Sequence, residues 1–193
     1  LPLGGSVHIE NISTSLLGFQ IAGPQSRALL AAVARADVST AALPFLSVAE
    51  MDIGVSRARV QRLSFTGDLG YEIYVPANEQ VALYKTLTAA GQAFGLRPFG
   101  MRAMMSLRLE KAFGAWLREY RPDYLPLETG LGRFVAYNKA ADFIGKAAAA
   151  ELAAGPARRL CSFVVDAGDA DVWADEPIWL DDEGQGFVTS GGF

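Results

Sequence analysis

The sequence predicts an α+β fold, on three observations. Apolar strands and amphipathic helices succeed one another without the long strand–helix–strand repetition of a parallel sheet. No Gly-x-Gly-x-x-Gly follows a strand, which argues against a dinucleotide fold. From Arg158 onward short strands alternate with turns.

The elements follow in order. Residues 7–21 alternate loosely and end at Gly23-Pro24, where proline suits a first helical position, so a helix is expected through Ala34 with Leu29, Leu30 and Val33 inward. A loop around Val38 to Leu43 ends at Pro44. Arg57 to Phe65 and Gly70 to Val75 then read as a hairpin whose turn, Thr66-Gly67-Asp68-Leu69-Gly70, carries glycines where positive φ is expected. Asn78 is read as the cap of a helix over Glu79 to Ala90, ended by Gly95, and Pro98 as the opening of the next helix, to about Ala112. Residues 113–137 are loop-rich, and a helix over Ala147 to Ala154 stops at Gly155-Pro156. The domain boundary is placed there. Beyond it, Leu160 to Val165, Pro177 to Leu180 and Gly186 to Ser190 read as strands, with Asp181-Asp182-Glu183-Gly184 as a turn, the start of a small β-barrel.

The 193 residues, 51% hydrophobic and 20% charged, suffice for one large or two small globular domains. A net charge of −4 gives no basic field for nucleic acid, and no apolar run approaches the roughly 20 residues of a membrane helix. The single cysteine, Cys161, excludes an internal disulfide and reads as packing in a buried strand. The lone His8 has no second histidine with which to share a metal or build a triad. Asp166, Asp169, Asp171, Asp175 and Glu176 lack the spacing of a calcium loop and read as solvated carboxylates, and Met101, Met104 and Met105 read as core fillers.

Two residues call for an explanation. Alternation puts Tyr71, Ile73 and Val75 on one strand face and Glu72 and Tyr74 on the other, so Glu72 is a lone carboxylate on an otherwise apolar strand. It is either a cross-strand partner of Arg59 or Arg62 or an acceptor in a pocket. Arg102, near the start of its helix, is either a surface ion-pair residue or a guanidinium beside an apolar wall. Tyr74, Trp116, Tyr120 and Tyr124 supply aromatic surface for a flat ligand or for packing.

The order of several segments resembles the glycine-cleavage T-protein (aminomethyltransferase) family, in the form fused to dimethylglycine and sarcosine dehydrogenases. The resemblance is carried by Phe19 to Arg27, by Ser64 to Glu72, by Ser106-Leu107-Arg108-Leu109-Glu110, by Pro126 to Gly132 with Asp142 to Lys146, and by Val188-Thr189-Ser190-Gly191-Gly192. Trp116 to Pro122 resembles the dehydrogenase-fused branch. Where that branch often has tyrosine, Phe65 stands, which removes one hydroxyl contact to a pterin.

The resemblance implies a T-protein-like folate-binding fold of ferredoxin-like strand–helix units over residues 1–155, followed by a partial C-terminal barrel over 156–193. It implies tetrahydrofolate as cofactor, with Glu72 accepting the pterin's paired N–H groups and Arg102, Tyr74 and Trp116 as further contacts; Arg102 would hold Glu72, the folate carbonyl or a substrate carboxylate. The implied activity is one-carbon transfer from an N-methyl amine or aminomethyl carrier, giving 5,10-methylenetetrahydrofolate. The alternatives are a non-catalytic folate-binding scaffold, whose cysteine-containing signature is missing around Phe143-Ile144-Gly145-Lys146, and a folate-dependent demethylase of another methyl donor. Family chains begin before Leu1 and continue past Phe193, and the family's aspartate near folate N10 lies upstream. The chain is accordingly expected to be a fragment, inactive alone, with no catalytic residue of its own and with any FAD in a separate upstream flavoprotein domain. The implied compartment is the cytoplasm, or the mitochondrial matrix in a eukaryote.

Overall fold

The computed structural model describes residues 8–152 and 155–192, which divide into two compact units, Leu1–Gly100 and Met101–Phe193. In the first unit, strands β1 (Leu16–Ala22), β2 (Val48–Ile53), β3 (Ser56–Gln61) and β4 (Gly70–Pro76) form one antiparallel sheet in the order β1-β4-β3-β2. Helices α1 (Ser26–Val33) and α2 (Gln80–Gly91) cover one face of it.

Strand alternation sets which residues meet the helices. Tyr71, Ile73 and Val75 of β4 are fully buried, beside Ile21 of β1, Ala58 and Val60 of β3 and Met51 and Ile53 of β2; Leu29 and Leu30 of α1 and Leu83 and Leu87 of α2 close the core. The buried Tyr71 hydroxyl is satisfied by the Arg27 Nε–H at 3.0 Å, which joins α1 to β4. The other sheet face carries the charged and polar residues, with Arg57 and Arg59 of β3 paired to Asp52 and Glu50 of β2. These are exposed pairs, each contributing about 0–1 kcal/mol.

The expected hairpin is found, together with a strand that the sequence reading left out. β2 pairs with β3 through Ala49↔Val60 and Met51↔Ala58, in a segment that begins four residues after Pro44. β1 is shorter than residues 7–21, and residue 7 lies outside the described residues. Asn78 is not a cap: a short 3-10 turn, Ala77–Glu79, precedes α2, and neither N-terminus has a side-chain cap. Gly95 ends the helical segment as expected, in the left-handed region at φ 68°.

In the second unit, α3 spans Met101–Leu109, three residues later than a start at Pro98, and α4 spans Lys146–Leu152. Of the helix expected over 147–154, residues 153 and 154 lie outside the described residues. β5 (Pro177–Leu180) and β6 (Glu183–Phe187) form a hairpin. It turns through Asp181 and Asp182, both at positive φ, the geometry that matches the right-handed twist of its strands.

Residues 160–165 are not a strand, and Cys161 is exposed rather than buried. A β-branched run becomes a strand only where a neighbour completes its hydrogen-bond ladder, and here Leu160 N–H donating to Glu128 O is the one backbone bond of the segment among the described residues. Met101 is likewise exposed, not a core filler. No helix among the described residues is long and apolar enough to cross a membrane.

Candidate functional site

β4 is an inner strand, so its outward face looks onto side chains of both neighbours. Glu72 lies opposite Gln20 on β1 and Gln61 on β3, and Tyr74 lies opposite Gly18 and Arg59. The Tyr74 hydroxyl donates to Glu72 Oε2 at 2.6 Å. That bond, together with partial burial and the Glu72 charge, pushes the Tyr74 phenol up from 10.0 to about 12.

Neither candidate arginine neutralises Glu72. Arg59 is turned to Glu50 at 3.5 Å, and Arg62 Nη1 donates to Leu43 O at 3.0 Å. Among the described residues Glu72 has Tyr74 as its partner and no cation, so the cross-strand ion pair is absent. One oxygen edge of the carboxylate is therefore left to another donor. Beside it, Gln20 Nε2 donates to Ser64 Oγ at 3.1 Å, and Ser64 and Thr66 hydroxyls lie 2.8 Å apart. The loop carrying them is fastened to the Gly23-Pro24 turn, where Gly23 N–H and Ser26 Oγ both donate to Leu69 O. A recess of ≈ 240 Å³ opens on this face, lined by Ile12, Ser13, Leu16, Arg59, Gln61 and Tyr74.

The second unit places the other two sequence-predicted residues at its surface. Arg102, in the first turn of α3, is exposed and makes no ion pair among the described residues. Trp116 is 75% exposed, on a loop that Tyr120 braces: Leu117 N–H donates to Tyr120 O, and Gly114 N–H to Tyr120 Oη. Glu72 and Tyr74 are thus brought together within the first unit.

The sequence reading missed a buried polar centre in the second unit. Arg108 is 1% exposed, and four of its five N–H donors are used. Nε donates to Met105 O at 3.1 Å, Nη1 to Phe113 O at 2.8 Å and to Glu119 Oε2 at 2.9 Å, and Nη2 to Ser190 Oγ at 2.5 Å. Glu119 Oε2 also accepts Ala115 N–H at 2.8 Å. Burial works to raise the Glu119 carboxyl, but the Ala115 N–H, the Ser190 and Thr189 hydroxyls and the Arg108 charge outweigh it and hold the group below its ordinary value. The centre ties the Ser106 to Glu110 segment to Thr189 and Ser190 and fixes the loop that presents Trp116. In the sequence its members appear only within the segments Ser106 to Glu110, Trp116 to Pro122 and Val188 to Gly192, and helical spacing puts Arg108 on the face of Met104 and Met105.

Among the described residues no group of three histidine, cysteine or acidic side chains is placed to hold a metal.

Residues 1–139 match the family model described as the GCVT N-terminal domain. The chain is 40% identical over 191 residues to the mitochondrial dimethylglycine dehydrogenase of Homo sapiens, covering 98% of this chain and 22% of that protein. It is 36% identical over 155 residues to the aminomethyltransferase of Bacillus subtilis (strain 168), covering 80% of this chain and 42% of that protein. Among solved structures it superposes on the heterotetrameric sarcosine oxidase from Corynebacterium sp. U-96 with a TM-score of 0.43 and 17% identity, over 51% of this chain and 49% of that one. The chain spans less than half the length of each of these relatives.

Proposed function

The chain belongs to the family of the GCVT N-terminal domain, and on that premise we propose that it is the tetrahydrofolate-binding part of a one-carbon transferase. The observation that carries the reading is Glu72: a carboxylate on an inner strand, held by a tyrosine, with no cation against it among the described residues. A carboxylate offers about four lone-pair positions and Tyr74 fills one, so these residues fit a pterin, whose 2-amino group and ring N–H lie side by side.

Tetrahydrofolate, when bound, supplies the N5 and N10 nitrogens that accept a one-carbon unit. Glu72 takes the two pterin donors, and the Tyr74 ring flanks the recess beside it. Arg102 and Trp116, in the second unit, are proposed as further contacts, to be tested separately. The protein's part is to orient its ligand and exclude water, effects worth on the order of 7–11 kcal/mol in well-oriented reactions. No side chain in the described residues is assigned the proton transfer.

The finer reading is that the chain comes from a dehydrogenase-fused member, with an N-methyl amine as carbon source and a flavoprotein domain upstream; the human relative's 40% identity across nearly the whole chain supports it. The division into a folate-binding part through residue 155 and a barrel beginning at 156 is part of the same proposal. The proposed compartment is the mitochondrial matrix in a eukaryote and the cytoplasm in a bacterium.

Calorimetric titration of tetrahydrofolate into the longest native polypeptide carrying this sequence tests the reading. Glu72→Ala leaves two ligand donors unmatched, at about 1–3 kcal/mol or roughly five- to 150-fold in affinity. Unchanged affinity with a large fall in melting temperature would show Glu72 to be structural.

A further inference from the structure

We propose that Tyr74 is a positioning residue for Glu72: its hydroxyl, held on one lone pair of Oε2, fixes the plane of the carboxylate so that the two oxygens present their remaining lone pairs to a ligand's paired N–H donors, and Gly18 is the gap that lets the tyrosine stand there. The inference rests on the folate reading of Glu72 and assigns a role that ring stacking alone would not give.

Residues two apart on a strand share a face, but their side chains ordinarily stand side by side with about 7 Å between their Cα atoms. Tyr74 instead leans back along β4 to bring its oxygen to 2.6 Å from Glu72 Oε2. A ring in that pose needs room over the neighbouring strand. The residue opposite Tyr74 on β1 is Gly18, where an added Cβ would lie 2.8 Å from Tyr74 Cδ1 and 2.7 Å from Ile73 O.

The other neighbours of the carboxylate are committed elsewhere or unbonded to it. Arg59 is held by Glu50, Gln20 donates to Ser64, and Gln61, opposite Glu72 on β3, makes no bond to it among the described residues. Without the tyrosine hydroxyl the terminal torsion of Glu72 is unrestrained, because sp³–sp² torsions are broad. Ordering it then falls on the binding step.

A double-mutant cycle on tetrahydrofolate affinity, using the native full chain, separates the outcomes. Tyr74→Phe keeps the ring over Gly18 and removes only the hydroxyl. It is expected to weaken binding about three- to tenfold in the wild-type background and to have no effect in Glu72→Ala. An equal loss in both backgrounds would mean that Tyr74 meets the ligand directly, and no loss in either would mean that the hydroxyl orders nothing; each overturns the positioning role while leaving the folate reading intact. Wild-type affinity in Glu72→Ala would overturn both. In ligand-free protein, tyrosinate absorbance gives an independent arm: the Tyr74 titration near 12 should fall toward the ordinary tyrosine value in Glu72→Ala, and an unmoved titration would contradict the contact.

Discussion

Arg108 and Glu119 lie 2.9 Å apart with side chains only 2% and 4% exposed, so each is the other's chief charge compensation. Removing one partner leaves the other charged and buried. Arg108→Ala or Glu119→Ala should therefore cost about 3–5 kcal/mol of unfolding free energy in denaturant melts of the native chain, whereas replacing both by apolar residues of similar volume should cost much less. Arg108→Lys should fall near the alanine variant, because one ammonium cannot serve acceptors spread over Met105, Phe113, Glu119 and Ser190. A loss below about 1 kcal/mol for either single alanine variant would place the pair in solvent.

The same carboxylate sets an acid limit. Glu119 titrates below its ordinary value in the folded chain, so its stabilisation is fully present above the unfolded carboxylate range and is lost as pH falls through the lower folded value. Unfolding free energy measured from about pH 6 downward should fall through the usual carboxylate range near 4 in wild type. Glu119→Gln should flatten that slope; an unchanged slope would assign the acid sensitivity to other carboxylates.

Tyr74 sets the opposite limit. Its folded value is raised from 10.0 to about 12, so its contribution is complete below pH 10.0 and is lost as pH rises toward about 12. Alkaline unfolding of Tyr74→Phe, compared with wild type over that window, should show a shallower decline. Parallel curves would contradict the hydroxyl–carboxylate bond.

Gly18→Ala should disturb the first unit at two points, the Tyr74 ring and the Ile73 carbonyl, both closer than 3 Å to the added carbon. Overpacking of this kind costs about 1–3 kcal/mol, and the displaced tyrosine should weaken folate binding as well. Pairing with Tyr74→Ala, which empties the space, should recover part of the stability but not the binding; no recovery would assign the whole cost to the carbonyl.

The parts legible in the sequence were those dictated by local periodicity. Alternation alone sorted β4 into a buried Tyr71, Ile73, Val75 face and a Glu72, Tyr74 face, and composition located the turn at Asp181 and Asp182 but extended it over Glu183 and Gly184, which belong to β6, a strand over Glu183–Phe187 rather than Gly186 to Ser190. β2 was hidden because Ala49, Glu50, Met51 and Asp52 have weak strand propensity; pairing with β3 makes it a strand. Residues 160–165 show the converse, a strong propensity without a partner. At the site, the strand period gave the face on which Glu72 lies. It could not show that Glu72 has no cation against it among the described residues, since Arg59 and Arg62 were plausible partners until their bonds to Glu50 and Leu43 were seen. Arg108 was obscured for a similar reason: the partners that permit its burial, Glu119 and Ser190, are 11 and 82 residues away.

The most direct measurement is a crystal structure of the longest native chain with tetrahydrofolate bound. We expect both Glu72 oxygens within hydrogen-bond distance, about 2.7–3.2 Å, of the pterin 2-amino group and its adjacent ring N–H, with the Tyr74 hydroxyl still on Oε2. A pterin seated away from the outward face of β4, with Glu72 bonded only to protein, would contradict the assignment.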